Sequence, residues 1–289
     1  MSGFSVGVLG AGRIGSAIIR SVRSCMPDVV VYASGRSDET LARVSGLGAR
    51  VFRDNARVVG NSDLVVISVK PHHFPELYSQ VPEGLWSDRV VVSIMAGVKL
   101  STLGKVLSGA EVFRAMPNIN ALVGRSTTAV TAGDDVSDSG RALVEKVLQC
   151  LGSVYWVSEE YMDVWTSLIG SGPAFMAEVI DGLVLGAVAS GMPRDLAYRV
   201  VLDMIEGTAR LLKELKAHPA EIRDEVTTPA GATIRGLKIL ETEGIKAGLM
   251  EVVESSCRRS REIGEEMDEI VRNNVHGNQP DHKPSGGSA

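Results

Sequence analysis

Phe4-Ser5-Val6-Gly7-Val8-Leu9 runs directly into Gly10-Ala11-Gly12-Arg13-Ile14-Gly15. The first six residues read as a short buried strand. The next six form G-x-G-x-x-G, and a helical pattern follows from Arg13 to Cys25. Strand, glycine turn and helix in that order are the setting in which this motif has a physical meaning. Gly10 permits a tight turn, Gly12 lets backbone approach a pyrophosphate, and Gly15 lets the helix lie close to the strand. The first turn of the helix then offers free N–H groups and a positive dipole end to phosphates. A glycine-rich turn with no ligand is the bland alternative.

Working outward, apolar runs recur at Val29–Tyr32, Arg50–Phe52, Leu64–Val69, Val90–Ile94, Val112–Met116 and Thr127–Thr131. Leu64-Val65-Val66-Ile67-Ser68-Val69 is the continuous kind, buried on both faces of a parallel sheet. Helical stretches lie between the earlier runs, at residues 39–47 and 55–60. The alternation predicts βαβ units in a Rossmann-type α/β domain with a parallel sheet. Near Glu159 the composition shifts. From there to about residue 272 the periodicity is helical, with Ala, Leu, Met and Glu prominent. The expected division is residues 1–158 for a dinucleotide-binding domain and 159–275 for an all-α substrate and dimerisation domain. Residues 276–289 are expected to be a disordered polar tail.

The bulk properties exclude several classes. A net charge of -5 argues against a nucleic-acid coat, which needs clustered Lys and Arg. Cys25, Cys150 and Cys257 are far apart and have no metal-ligand spacing, so three reduced thiols are expected and no metal site. No signal peptide is read at the N-terminus. The apolar stretch around Val179 to Met192 is interrupted by Asp181 and falls short of the roughly 20 residues of a spanning helix. A cytoplasmic protein with a small-molecule substrate is the expectation.

A carboxylate at the end of the second strand would bind the ribose hydroxyls of NAD. This chain has Ala33-Ser34-Gly35-Arg36-Ser37 there. Ser34 and Arg36 suit a 2′-phosphate, which favours NADP and leaves NAD open. Arg36 as a solvated loop charge is the alternative. Three later loops leave the carboxyl ends of strands, where open α/β sheets bind ligands: Ser68-Val69-Lys70-Pro71-His72, Ser93-Ile94-Met95-Ala96-Gly97-Val98 and Arg114-Ala115-Met116-Pro117-Asn118.

In the helical part, Val226-Thr227-Thr228-Pro229 predicts a helix start with Thr228 as N-cap and Pro229 at the first helical position. The helix is expected to run through Ile234, Leu237 and Leu240. The N–H groups around Ala230 to Thr233 would then form an anion site. On spacing alone, an ordinary capped helix reads the same.

Gly170-Ser171-Gly172-Pro173-Ala174-Phe175 with Asp181-Gly182, and Arg223-Asp224-Glu225-Val226-Thr227-Thr228-Pro229-Ala230-Gly231-Ala232-Thr233-Ile234 with Gly236-Leu237 and Leu240-Glu241, resemble the pyrroline-5-carboxylate reductase family. The likeness runs from about residue 4 to 264, and the C-terminal block is its most specific part. It implies NAD(P)H-dependent reduction of a cyclic imine to proline, in a homodimer or higher oligomer whose substrate site combines two chains. It implies substrate contacts from Glu159, Glu225, Ala230, Gly231, Ala232 and Thr233, with the Thr233 hydroxyl on the ring nitrogen as the catalytic contact. For the cofactor it implies Gly10, Ala11, Gly12, Arg13, Ile14, Gly15, Ser34, Arg36, Asn55, Ser68, Val69, Lys70, Pro71, Met95, Ala96, Gly97 and Asn118.

Two departures bear on substrate range: Ile119-Asn120 stands where the family has Thr-Pro, and Ile169 where it often has a small polar residue. The related β-hydroxyacid dehydrogenases carry a Lys at the place of Met176, and a thioether cannot protonate an alkoxide, so carbonyl reduction is disfavoured. A reductase of a different imine and a non-catalytic NADP-binding regulator remain the alternatives.

Overall fold

The computed structural model describes residues 3–133 and 135–276; the expected tail beyond His276 lies outside them. Eight strands form one sheet: β1 (Ser5–Leu9), β2 (Val30–Ser34), β3 (Arg50–Phe52), β4 (Leu64–Ile67), β5 (Val90–Ser93), β6 (Glu111–Met116), β7 (Ser126–Ala132) and β8 (Gly152–Trp156). Their order is 3-2-1-4-5-6-7-8. Strands β1 to β6 are mutually parallel, as the alternation predicts, with Val8 opposite Ala33 and Val66. All four residues of β4 are buried, because helices cover both faces of the sheet.

The helices are α1 (Arg13–Cys25), α2 (Asp38–Gly46), α3 (Asn55–Gly60), α4 (Phe74–Ser79), α5 (Leu100–Val106), α6 (Asp138–Gln149), α7 (Met162–Trp165), α8 (Gly172–Ala189), α9 (Arg194–Leu215), α10 (Pro219–Glu225), α11 (Ala232–Thr242) and α12 (Ile245–His276). One face of the sheet packs Ile18, Ile19 and Val22 of α1 with Val144 and Leu148 of α6. The other packs Val58, Phe74, Leu77, Leu103 and, from the far end of α12, Val271 and Val275. Each large apolar side chain withdrawn from water contributes about 1.5–3 kcal/mol, so both layers hold the sheet firmly.

Several features depart from the sequence reading, three of them in the sheet unit and its boundary. Strand β7 pairs with β6 antiparallel. The link between them, the 3-10 turn Ile119–Val123 closed by Gly124 at φ 67°, is too short for the crossover a parallel pair needs. Second, Cys25 at the end of α1 is disulfide-bonded to Cys150 at the C-cap of α6, across 125 residues and 5.6 Å between Cα atoms, where three free thiols are expected. Neighbouring helices on one face of the sheet bring together cysteines that spacing keeps apart. Cys257 is free and buried.

Third, the chain divides by its internal contacts into residues 3–170 with 257–276, and Ser171–Ser256. The expected change at Glu159 marks the end of strand-forming sequence. The compact sheet unit continues past it to Gly170 and takes in the end of α12, because Asp268, Val271 and Val275 are buried there.

In the second unit α8 packs on α9 around Val184, Ala197 and Val201. These three are its buried hydrophobic residues among the described ones. This unit therefore holds little core of its own, and Met176, Leu183, Leu185 and Tyr198 stand exposed. The helical run Glu159–Ala189 reaches a mean hydropathy of 1.5, long and apolar enough to cross a membrane by length and composition, where the sequence reading expects no such segment.

Candidate active site

The glycine turn has the geometry each glycine is there for. Gly10 sits at φ 90°, in the left-handed region. A Cβ on Gly15 would collide with the Gly10 carbonyl oxygen, so only glycine lets α1 come this close to β1. A Cβ on Gly12 would meet nothing within 4 Å, so that side of the turn is open. Gly12 is the N-cap of α1 and supplies no side-chain bond to the first turn. The N–H groups of that turn are free to face an anion.

Beside this turn lies a cavity of about 720 Å³ in the sheet unit. It gathers Gly10, Ala11, Gly12, Ser34, Arg36, Asn55, Ser68, Val69 and Lys70 from the expected cofactor set. Gly35 and Ser37, which flank Arg36, and His73, in the loop read as cofactor-facing, also line it, as do Thr40, Arg53, Glu76, Leu77 and Gln80, which the sequence reading does not name. Arg53 had a signal: it follows β3, and β3 lies beside β2 in this topology. Thr40, Glu76, Leu77 and Gln80 arrive through tertiary structure and carry none. Ser34 donates to Asn55 Oδ1 at 2.6 Å, and Asn55 donates to Gln80 Oε1 at 2.6 Å, a chain that fixes the floor. Arg36 Nη2 stands 3.0 Å from His73 Nε2. Arg53 pairs with Asp38 in solvent. The His73 pKa is held below the usual imidazole range, first by burial and then by Arg36.

Arg13, Ile14, Gly15, Pro71, Met95, Ala96, Gly97 and Asn118 do not line this cavity. Met95 is buried at 1% exposure, and Ala96 is exposed at the tip of the loop after β5. Gly97 lies at φ 83°, and a Cβ there would fall on the Gly264 backbone of α12. Past the loop, the first turn of α5 is held by two distant carboxylates. Asp268 accepts from Lys99 N–H at 2.9 Å and from the Thr102 hydroxyl at 3.0 Å. Glu159 Oε1 accepts from Leu100 N–H at 2.8 Å and from Arg114 Nη1 at 2.9 Å. Arg114 is almost fully buried, and this partner offsets its desolvation. Asn118 donates through Nδ2 to Ile169 O at 3.2 Å.

In the second unit the helix start differs from expectation. Gly231, not Thr228, is the N-cap, and α11 begins at Ala232. Thr228-Pro229-Ala230-Gly231 is a separate turn closed by Gly231 N–H to Thr228 O at 3.1 Å. Pro at its second position and φ 58° at Ala230 are the type II pattern. Ala is strained in that left-handed conformation, which glycine or asparagine would adopt more easily. Gly231 gives no side-chain cap, so the first N–H groups of α11 lack one. Thr233, half-buried, is in this first turn. Glu225 is exposed at the end of α10.

Neither unit offers an acid–base pair of the usual kind. His218 is occupied as the N-cap of α10, where Nδ1 accepts from Ala220 N–H at 3.2 Å. Met176 on α8 is nearly half exposed and carries no proton to give. Among the described residues no cluster of His, Cys, Asp and Glu could hold a metal. The sheet unit can cradle a phosphate-rich ligand, and the first turn of α11 can receive an anion.

Comparison with known proteins bears on both units. The family described as pyrroline-5-carboxylate reductase dimerisation matches residues 159–263, and that described as NADP oxidoreductase, coenzyme F420-dependent, matches residues 5–97. The pyrroline-5-carboxylate reductase of Methanosarcina acetivorans is 35% identical over 268 residues, 91% of this chain and 99% of that one. The solved 1-pyrroline-5-carboxylate reductase of Streptococcus pyogenes is 26% identical with a TM-score of 0.83, over 91% of this chain and 100% of that one. The Plasmodium falciparum pyrroline carboxylate reductase, solved with NADP bound, shares the fold at 24% identity and a TM-score of 0.82, over 91% of this chain and 99% of that one. The chain belongs to the pyrroline-5-carboxylate reductase family.

Proposed function

We propose that this protein reduces 1-pyrroline-5-carboxylate to L-proline with a hydride from NADPH. The observation that carries the reading is the first turn of α11: a helix start without a side-chain cap, on a strained turn, carrying Thr233. A substrate carboxylate would accept from the N–H groups of Ala232 and Thr233, with Gly231, Ala230 and Glu225 shaping the approach. The Thr233 hydroxyl would bond the ring nitrogen.

The sheet unit suits NADP by the chemistry of its donors. The first turn of α1, from Gly12 through Arg13 and Ile14, would hold the pyrophosphate. Ser34 and Arg36 would hold the 2′-phosphate. Asn55 would brace Ser34, and Ser68, Val69, Lys70 and Pro71 would line the adjoining wall. The loop Met95-Ala96-Gly97, with Asn118 behind it, would face the nicotinamide. When bound, the nucleotide supplies the hydride.

The protein's own chemistry is then modest. A protonated imine is already electrophilic at carbon, and hydride addition turns it into an amine that keeps the proton. No alkoxide forms, so no Lys or His acid is required, and Met176 is tolerated. Positioning carries most of the rate. Glu159 would reach the nitrogen only through Oε2, because Oε1 already serves Leu100 and Arg114.

A second copy of the chain would cover the apolar helices, with residues 159–275 as the dimerisation part and the substrate site shared between copies. Support comes from the three-residue core of Ser171–Ser256 and the dimerisation family matched at 159–263. A cytoplasmic location belongs to the same proposal, and there the Cys25–Cys150 pair would be held as thiols. Ile119-Asn120 motivates a second reading, reduction of a different cyclic or linear imine.

The test follows NADPH absorbance, then NADH, after addition of pyrroline-5-carboxylate to purified protein. Rapid oxidation supports the proposal. Oxidation only with other imines moves it to the second reading, and cofactor binding with no turnover on any imine makes the protein a regulator.

A further inference from the structure

The basic cluster in the sheet-unit cavity contains more than the Ser34–Arg36 pair. Arg36 Nη2 lies 3.0 Å from His73 Nε2. A guanidinium has donors only, so Nε2 is the bare acceptor nitrogen and the ring carries its proton on Nδ1. His73 is therefore neutral in this arrangement. The charged groups around it come from each element that packs there. Arg36 comes from the loop after β2, and Arg53, engaged with Asp38, from the end of β3. Lys70 and His72 share its own loop, with the His72 ring centroid 4.1 Å away. Glu76 comes from α4 and is the one carboxylate lining the cavity. Burial, Arg36, His72 and Lys70 all oppose the imidazolium, and Glu76 alone favours it.

We infer that His73 is a specificity-determining residue: with Arg36 it grips the 2′-phosphate that distinguishes NADPH from NADH, and it takes up a proton in doing so. This rests on the nucleotide reading above. An arriving phosphate dianion takes the Arg36 fork, which leaves Nε2 facing a phosphate oxygen. The opposite charge then favours the protonated ring. NADH brings a hydroxyl to the same place, and His73 stays neutral. By linkage, a basic group whose pKa is higher in the complex than in the free protein adds affinity at low pH and loses it as pH rises through its bound-state value. Preference for NADPH therefore falls as pH rises.

Dissociation constants for NADPH and NADH are measured by fluorescence titration of the full chain between pH 6.5 and 8.5, above the phosphate's second pKa of about 6. In the wild type the NADPH preference is expected to fall about tenfold over that window, the scale of one charge-assisted hydrogen bond. His73→Gln flattens the profile to within about twofold, and His73→Lys, charged throughout, keeps the preference high at both ends. A flat wild-type profile, or a His73→Gln slope equal to the wild type's, overturns the inference. Ring NMR titration of His73 gives a second readout that needs no variant. Its pKa rises with 2′,5′-ADP and not with 5′-ADP, and equal behaviour with both sinks the idea. Binding of neither nucleotide at any pH overturns the nucleotide reading itself and this inference with it, whereas binding of both at a constant ratio overturns only the inference.

Discussion

Asp268→Ala isolates the longest-range constraint on the loop that would face the nicotinamide. The carboxylate is 5% exposed. It receives Lys99 N–H and the Thr102 hydroxyl, so it caps α5 from 169 residues away. Loss of an N-cap costs about 0.5–2 kcal/mol. Leaving buried donors unpaired adds about 1–3 kcal/mol. Together the substitution should cost about 1.5–5 kcal/mol and, for a unit of this size, lower Tm by about 3–20 °C. The assay is urea unfolding at one fixed protomer concentration, because a dimer's apparent stability depends on it. Thr102→Val removes only the hydroxyl and should cost about 1 kcal/mol. The double variant should cost less than the sum, since both changes break the same bond. A loss below about 0.5 kcal/mol for Asp268→Ala, the ordinary surface range, or strict additivity in the cycle, would refute the cap.

Four further outcomes are expected. Thr233→Ala should lower kcat about tenfold to a hundredfold with NADPH affinity intact, the worth of one hydrogen bond to a charged nitrogen; unchanged kinetics removes Thr233 from the site. Arg36→Ala should weaken NADPH by about tenfold to a hundredfold and NADH by less than about threefold, and equal losses contradict a 2′-phosphate role. Leu183→Glu, placed on the exposed apolar side of α8, should shift the sedimentation mass toward the monomer, and an unchanged mass clears that face of a subunit contact. Denatured air-oxidised protein should titrate one free thiol, Cys257, before reduction, and reduction of Cys25–Cys150 should cost about 2–5 kcal/mol; three titrating thiols would mean the pair does not form.

The parts legible in sequence are those whose cause is local. Gly10 and Gly15 act through backbone geometry that only glycine allows, Gly12 leaves the turn open, and Leu64–Ile67 reads as buried because both its faces are. Strand β8 is an edge strand with Ser153, Tyr155 and Trp156 exposed, so its apolar run Val154-Tyr155-Trp156-Val157 carries a strand signal without the burial that marks the inner strands. Asp268 in mid-helix resembles any acidic residue of α12; its partners lie across the fold. His73 lies in the loop read as cofactor-facing, but Gln80 reaches the cavity only because α4 folds over the strand ends. The Thr228-Pro229 signal was genuine, but it starts a turn instead of the helix, because Ala230 takes a positive φ that no helix can contain.

The helix start at Gly231 sets α11 apart from most helices of the chain. Helices α2, α3, α6 and α10 are closed by Ser37, Asp54, Ser137 and His218, and α5 by Asp268. Among α1 to α11, only α1 and α11 begin on a glycine N-cap, Gly12 and Gly231. A glycine there gives up only a few tenths of a kcal/mol against a capping side chain and leaves the first N–H groups for something else. At α11 the preceding turn adds the strain of a left-handed alanine, about 1–2 kcal/mol. A glycine N-cap recurs at these two helices alone and, at α11, joins a strained turn, a combination that marks where stability yields to function. Both places are where the proposed reaction has an anion to hold: the pyrophosphate of the nucleotide and the carboxylate of the imine.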